Sequence, residues 1–164
     1  MTVGVRPGDR VGIWGPNTYE WYLTQMAAAK LGAILVNINP AYQPGELLYC
    51  LNKVGVKVVV ASKAFKTQDY YQILTQIMPE LEETNSGISI IIFMGIILFC
   101  SLLDLIESES VPSLRRIILM SEDSRPGTIP FTTALHAGAG LQVKYCQVSN
   151  KYLYYLYFRL RLMK

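Results

Sequence analysis

The side chains able to do chemistry in this sequence are scattered rather than gathered. His136 is the only histidine. With no second histidine and no nucleophile elbow, it reads as a loop or helix-end side chain rather than a base or a metal ligand. Cys50, Cys100 and Cys146 lie far apart, are odd in number and form no CxxC pair. That spacing argues against both a disulfide framework and a zinc site. Each cysteine reads instead as a small buried apolar residue in a reducing compartment. Glu82-Glu83 and Glu122-Asp123 are neighbours on turns, solvated rather than facing one another across a cleft. Gly8, Gly12 and Gly15 surround the first strand without spelling GxGxxG, and no acidic residue ends the second strand to hold a ribose, so the dinucleotide signal is weak. Ala137-Gly138-Ala139-Gly140 is the piece nearest to a phosphate loop, and it has neither hydroxyls nor a following lysine. Gly15-Pro16-Asn17 and Asn37-Ile38-Asn39-Pro40 stand at strand carboxyl ends, where open α/β sheets place ligands. Turn and cap duties explain both as well. No catalytic and no metal-binding residue is assigned, and no residue is assigned to a cofactor.

The elements that would have to position any site are clearer. Val11-Gly12-Ile13-Trp14 reads as a first strand closed by Gly15-Pro16. Asn17 is placed to cap the following helix, with Glu20 in the capping-box position. That helix runs to about Leu31 with Tyr19, Tyr22, Leu23, Met26, Ala27 and Leu31 as its apolar stripe, and Gly32 just past its end. Ala33-Ile34-Leu35-Val36 is a short apolar run, as expected of a strand buried on both faces. Pro40 ends it. Pro44 suits the first turn of a second helix, Leu47, Leu51 and Val54 make its stripe, and Gly55 takes the C-cap. A β-branched strand follows over residues 56–61. A third helix, capped by Thr67, presents Tyr70, Ile73, Leu74, Ile77 and Leu81. The order β-α-β-α-β predicts an α/β fold with a partial doubly wound parallel sheet.

Residues 87–103, GISIIIFMGIILFCSLL, carry no charge. They fit a buried strand plus a buried helix, a membrane span at the lower length limit, or a segment foreign to the fold. Acidic flanks give no positive-inside signal. Residues 115–120 then read as another parallel strand, 122–127 as a loop and 130–137 as a short helix. The tail, KYLYYLYFRLRLMK (151–164), is aromatic and basic; it reads as an aggregation hazard, a membrane or nucleic-acid contact, or sequence not native to the fold. With 51% hydrophobic and 16% charged residues among 164, nothing points to disorder. A net charge of +3 without a basic face gives no case for nucleic acid. The start shows no signal or transit peptide.

The pieces GVRPGDRVGIWGPNTYEW (4–21), LGAI, NINPAY and ELLYCL resemble the N-terminal domain of the adenylate-forming enzymes: acyl-CoA synthetases, luciferases and peptide-synthetase adenylation domains. The wording is nearest to the mitochondrial medium-chain acyl-CoA ligases. The match runs from Gly4 to about Glu80 and continues faintly over 112–138. The resemblance implies a chain that begins partway into the domain: a partial AMP-binding domain over 1–140, interrupted by an atypical apolar segment at 87–106, then an atypical tail at 141–164. It implies a family reaction joining a fatty acid to ATP and then to coenzyme A, with magnesium, in mitochondria or otherwise the cytoplasm. None of the family's working motifs occurs here: neither the hydroxyl- and glycine-rich loop ending in lysine, nor the aromatic-Thr-Glu segment, nor the ribose aspartate, nor the C-terminal lysine. No family catalytic residue can therefore be carried over. The resemblance thus implies part of a fatty acid–CoA ligase unable to catalyse alone. Two other classes remain open: a membrane-associated or interaction protein using 87–103 and the tail, and a small nucleotide-binding α/β module.

Overall fold

The computed structural model describes residues 4–84, 92–93, 96–97 and 106–138. Its centre is β3 (Val58–Ser62), a run whose five residues are all buried. On one side β3 pairs in parallel with β1 (Arg10–Trp14), Val59 lying opposite Gly12. On the other it pairs in parallel with β8 (Arg116–Met120), Val59 lying opposite Ile117. Outside β1 runs β2 (Ile34–Ile38), also parallel, and outside β8 runs β9 (Thr128–Pro130). The order is β2-β1-β3-β8-β9. Two strands of two residues, β4 (Ala64–Phe65) and β5 (Gln68–Asp69), form a hairpin after β3. Another such pair, β6 (Ile92–Phe93) and β7 (Ile96–Ile97), is antiparallel.

Alternation along the strands builds two cores. Val59, Ala61, Ile117 and Leu119 join Trp14 on one face, against Leu47 and Leu51 of α2 (Pro44–Val54) and Tyr70, Ile73, Leu74 and Ile77 of α3 (Tyr70–Ile77). Val11, Val58, Val60 and Ile118 join the other face, against Leu23 and Leu31 of α1 (Tyr19–Leu31) and Phe131 of α4 (Phe131–Gly138). Helices on both faces of a parallel sheet make the doubly wound arrangement expected from the sequence.

Several local expectations need correction. The cap of α1 is Thr18, not Asn17: its hydroxyl accepts from the Trp21 N–H at 3.4 Å. The cap of α3 is Asp69, not Thr67, because the β4–β5 hairpin takes up residues 64–69; Asp69 accepts from the Tyr71 and Gln72 N–H groups. The stripe of α1 is also displaced. Thr24 and Ala28 are its buried residues, while Tyr19 and Tyr22 are 70% and 55% exposed. β2 is not covered on both faces: Ile34 on one face and Asn37 on the other are exposed. Val54 is partly exposed too. The C-caps behave as read: Gly32 and Gly55 both sit at φ 69°, a left-handed conformation that a side chain resists. Of residues 87–103 only 92–93 and 96–97 are described; the rest of that segment, and the tail, lie outside the described residues. No helix among the described residues is long and apolar enough to cross a membrane.

At the amino edge of the sheet, Asp9 accepts from Lys57 Nζ at 2.7 Å and from the Arg6 N–H at 2.7 Å. The Lys57 hydrogen bond, then that of Arg6, holds the Asp9 carboxyl below its usual range. A depressed folded-state pKa adds stability above the unfolded value, about 3.9, and that stability is lost as pH falls through the lower folded value. Asp9→Asn is therefore expected to be less stable than the parent at neutral pH, by up to about 1 kcal/mol. The difference should shrink towards zero in acid. Urea melts at pH 7 and pH 3 check this.

Candidate functional site

In this strand order the chain leaves β1 for one face of the sheet and β3 for the other. The crevice between their carboxyl ends is the place where open α/β sheets bind ligands. It is built from Gly15, Pro16, Asn17 and Thr18 after β1, Ser62 at the end of β3 with Lys63 after it, and Met120 at the end of β8 with Ser121 to Asp123 after it. Gly15 lies directly against Ser62; a Cβ on Gly15 would stand 2.8 Å from the Ser62 Cβ, so only glycine lets the two strand ends close. Thr18 donates to Met120 Sδ at 3.7 Å as well as capping α1. Across the crevice, Lys63 Nζ and Asp123 form an exposed ion pair at 2.8 Å, and Ser121 Oγ donates to the Asp123 carbonyl at 3.0 Å.

The neighbouring loop after β2 is spent on structure. Asn39 Oδ1 accepts from the Ala41 N–H at 2.9 Å, and the Asn39 carbonyl accepts from Trp14 Nε1 at 3.1 Å. The Pro40 carbonyl accepts from Tyr70 OH at 2.7 Å. Burial pushes the Tyr70 phenol up to about 12, so it stays a neutral donor. Beyond β8, Arg125 lies over the Tyr71 ring at 5.0 Å and pairs with Asp69 at 3.6 Å, tying the loop that precedes β9 to α3.

The residues singled out by type are not brought together. His136 is exposed in the last turn of α4. Cys50 is half-buried on α2, and burial raises its thiol, which keeps it protonated. Cys100, Cys146 and residues 139–140 of the glycine-rich piece lie outside the described residues. Glu82, Glu83, Glu122 and Asp123 are exposed. Among the described residues no group of three or more His, Cys, Asp or Glu could hold a metal ion. The contributions of Thr18, Lys63 and Asp123 to the crevice were missed in the sequence, where Lys63 and Asp123 stand 60 positions apart.

Lys63, Asp123 and Thr18 of this crevice already have partners within the chain. The Lys63 ammonium is neutralised by Asp123, and the Thr18 hydroxyl accepts from its own helix. The Lys63 hydrogen bond and charge hold Asp123 below the usual carboxylate range. In a Lys63→Ala variant the Asp123 titration, followed by carbon NMR, is expected to move up towards the ordinary value. The thermal midpoint should stay put, because the pair is exposed.

A family model described as AMP-binding enzyme matches residues 1–95. The chain belongs to the AMP-binding enzyme family. The rat (Rattus norvegicus) mitochondrial medium-chain acyl-CoA ligase ACSF2 is 43% identical over 138 residues, which cover 84% of this chain and 20% of that protein. The human (Homo sapiens) protein of the same name is 40% identical over 142 residues, 87% of this chain and 20% of its own. This AMP-binding chain thus spans about a fifth of the length of the curated relatives it matches, and the likeness covers more of it than the sequence pieces alone had marked. Among solved structures, an anthranilate CoA ligase, AuaEII, in complex with anthranoyl-AMP superposes at a TM-score of 0.56 with 22% identity, covering 81% of this chain and 19% of that one. Acetoacetyl-CoA synthetase from Streptomyces lividans superposes at 0.55 with 18% identity, covering 80% of this chain and 17% of that one. At those identities the structures establish the fold of the AMP-binding chain.

Proposed function

We propose that residues 1–140 supply the opening β/α portion of an acyl-CoA ligase's AMP-binding domain, interrupted by the atypical apolar segment at 87–106 and followed by a separate tail at 141–164, and that the chain does not catalyse by itself. The reaction it belongs to joins a fatty acid to ATP, releasing pyrophosphate, and passes the acyl group from the adenylate to coenzyme A. Magnesium, ATP, the fatty acid and coenzyme A are then substrates and helpers of the whole ligase, and mitochondria are its place of work. Likeness to the ACSF2 ligases supports the family part of this reading.

The observation that carries the rest is the state of the carboxyl edge. Forming an adenylate needs donors around the phosphates and a cation free to offset developing charge. Here Lys63 is paired, Thr18 is a cap, and the chain holds no hydroxyl-rich glycine loop ending in lysine. Purified chain incubated with ATP, magnesium, a medium-chain fatty acid and labelled pyrophosphate is expected to show no exchange above a protein-free blank. Exchange that rises with protein concentration would contradict the proposal.

A further inference from the structure

Ser62 is the last residue of β3 and is 8% exposed. Alternation along the strand puts it on the same face as Val58 and Val60, the face that α1 covers. Both ladders identify its neighbours there. Trp14 lies opposite Ala61, so Gly15 comes beside Ser62, where a Cβ would stand 3.3 Å from Ser62 Oγ. On the other side Ser62 lies opposite Met120, and Thr18, the N-cap of α1, donates to Met120 Sδ. The Ser62 hydroxyl therefore sits beneath the first turn of α1. Among the described residues it has no hydrogen-bond partner. A hydroxyl placed so deep without a partner costs stability that an alanine there would not.

The helix end above it is also short of acceptors. Trp21 N–H donates to Thr18 Oγ1, and Tyr22 N–H to the Thr18 carbonyl. The Tyr19 and Glu20 N–H groups precede the first intrahelical bond and have no acceptor within the helix. α1 is 13 residues long, so its end carries a positive partial charge.

We infer that the end of α1 and Ser62 together hold a carboxylate. The Ser62 hydroxyl donates to one of its oxygens, and the Tyr19 and Glu20 N–H groups donate to the other. The opening favours a small planar monoanion over phosphate, because Gly15 and Met120 close on Ser62 from both sides. Glu20 also brings a negative charge to the first turn, which a dianion would feel twice over. Lys63, next in the chain, is engaged with Asp123 and has no part in the site. The inference does not rest on the catalytic proposal.

Proton–nitrogen NMR of the 164-residue chain tests this by titration with sodium formate, ionic strength being held constant with sodium chloride. The Tyr19 and Glu20 amides are expected to shift saturably, with a dissociation constant in the millimolar range. Ser62→Ala removes a donor to the anion, so it should raise that constant by about tenfold while melting no lower than the parent. Glu20→Gln removes the like charge and should lower the constant by about two- to fivefold; it decides the matter where the alanine variant fails to fold. No saturable shift overturns the inference, including the case in which another part of the chain meets Ser62. A shift that Ser62→Ala leaves unchanged overturns it, and so does inorganic phosphate binding more tightly than formate.

Discussion

Replacing Trp14 by alanine is expected to destabilise the fold by about 3–5 kcal/mol. Its indole is fully buried. The ring stacks on Tyr70 with centroids 3.8 Å apart and planes within 7°, and its N–H reaches the Asn39 carbonyl. Tyr70 in turn donates to the Pro40 carbonyl. One side chain at the end of β1 thus joins α3 to the loop after β2. Truncation leaves a cavity under the stack and a carbonyl without its donor, and both effects act in the same direction. Trp14→Phe keeps most of the packing and loses the hydrogen bond, so it should cost clearly less than the alanine. Urea melts of the two variants check this. A loss below about 1 kcal/mol for Trp14→Ala would mean that the stack holds nothing together.

A charge at the middle of the sheet should do more. Val59 is 0% exposed, between Gly12 on one side and Ile117 on the other, under Leu47 and Leu51. An aspartate there would bury a carboxylate with no partner, a penalty of several kcal/mol. That is comparable with the whole stability of a domain, about 5–15 kcal/mol. Val59→Asp is expected to lose the cooperative thermal transition. Tyr49→Asp, on the exposed face of α2, should stay within about 0.5 kcal/mol of the parent. Far-UV circular dichroism against temperature separates the two. A Val59→Asp protein melting like the parent would place β3 somewhere other than the centre of the sheet.

The contrast between those positions also explains what could be read from the residues alone. β3 and β8 were legible because dense runs of Val, Ile and Leu have few homes except a covered parallel strand. The limits of α2 were legible because Pro44 and Gly55 act through their own backbone. β2 was read as covered on both faces because an apolar run does not say how much of each face lies under a helix. α1 was misread in part: Leu23 and Leu31 of the expected stripe do pack on the core, but its most buried residues are Thr24 and Ala28, small side chains that let the helix approach the sheet, while Tyr19 and Tyr22 face out. Thr18 and Asp69 were missed as caps because adjacent polar residues compete for that role, and tertiary packing decides the winner. The two-strand crossover order was foreseeable from the β-α-β-α-β pattern, and with it the position of the crevice. Its contents were not. Lys63 and Asp123 are separated by 60 positions, and no local pattern marks such a pair.

Calorimetric titration of magnesium-ATP into the 164-residue chain tests most directly whether this AMP-binding family member lacks a working grip on the nucleotide. No saturable heat is expected. Saturable binding in the micromolar range that disappears in Lys63→Ala would contradict it, because a lysine engaged with Asp123 would then be holding phosphate.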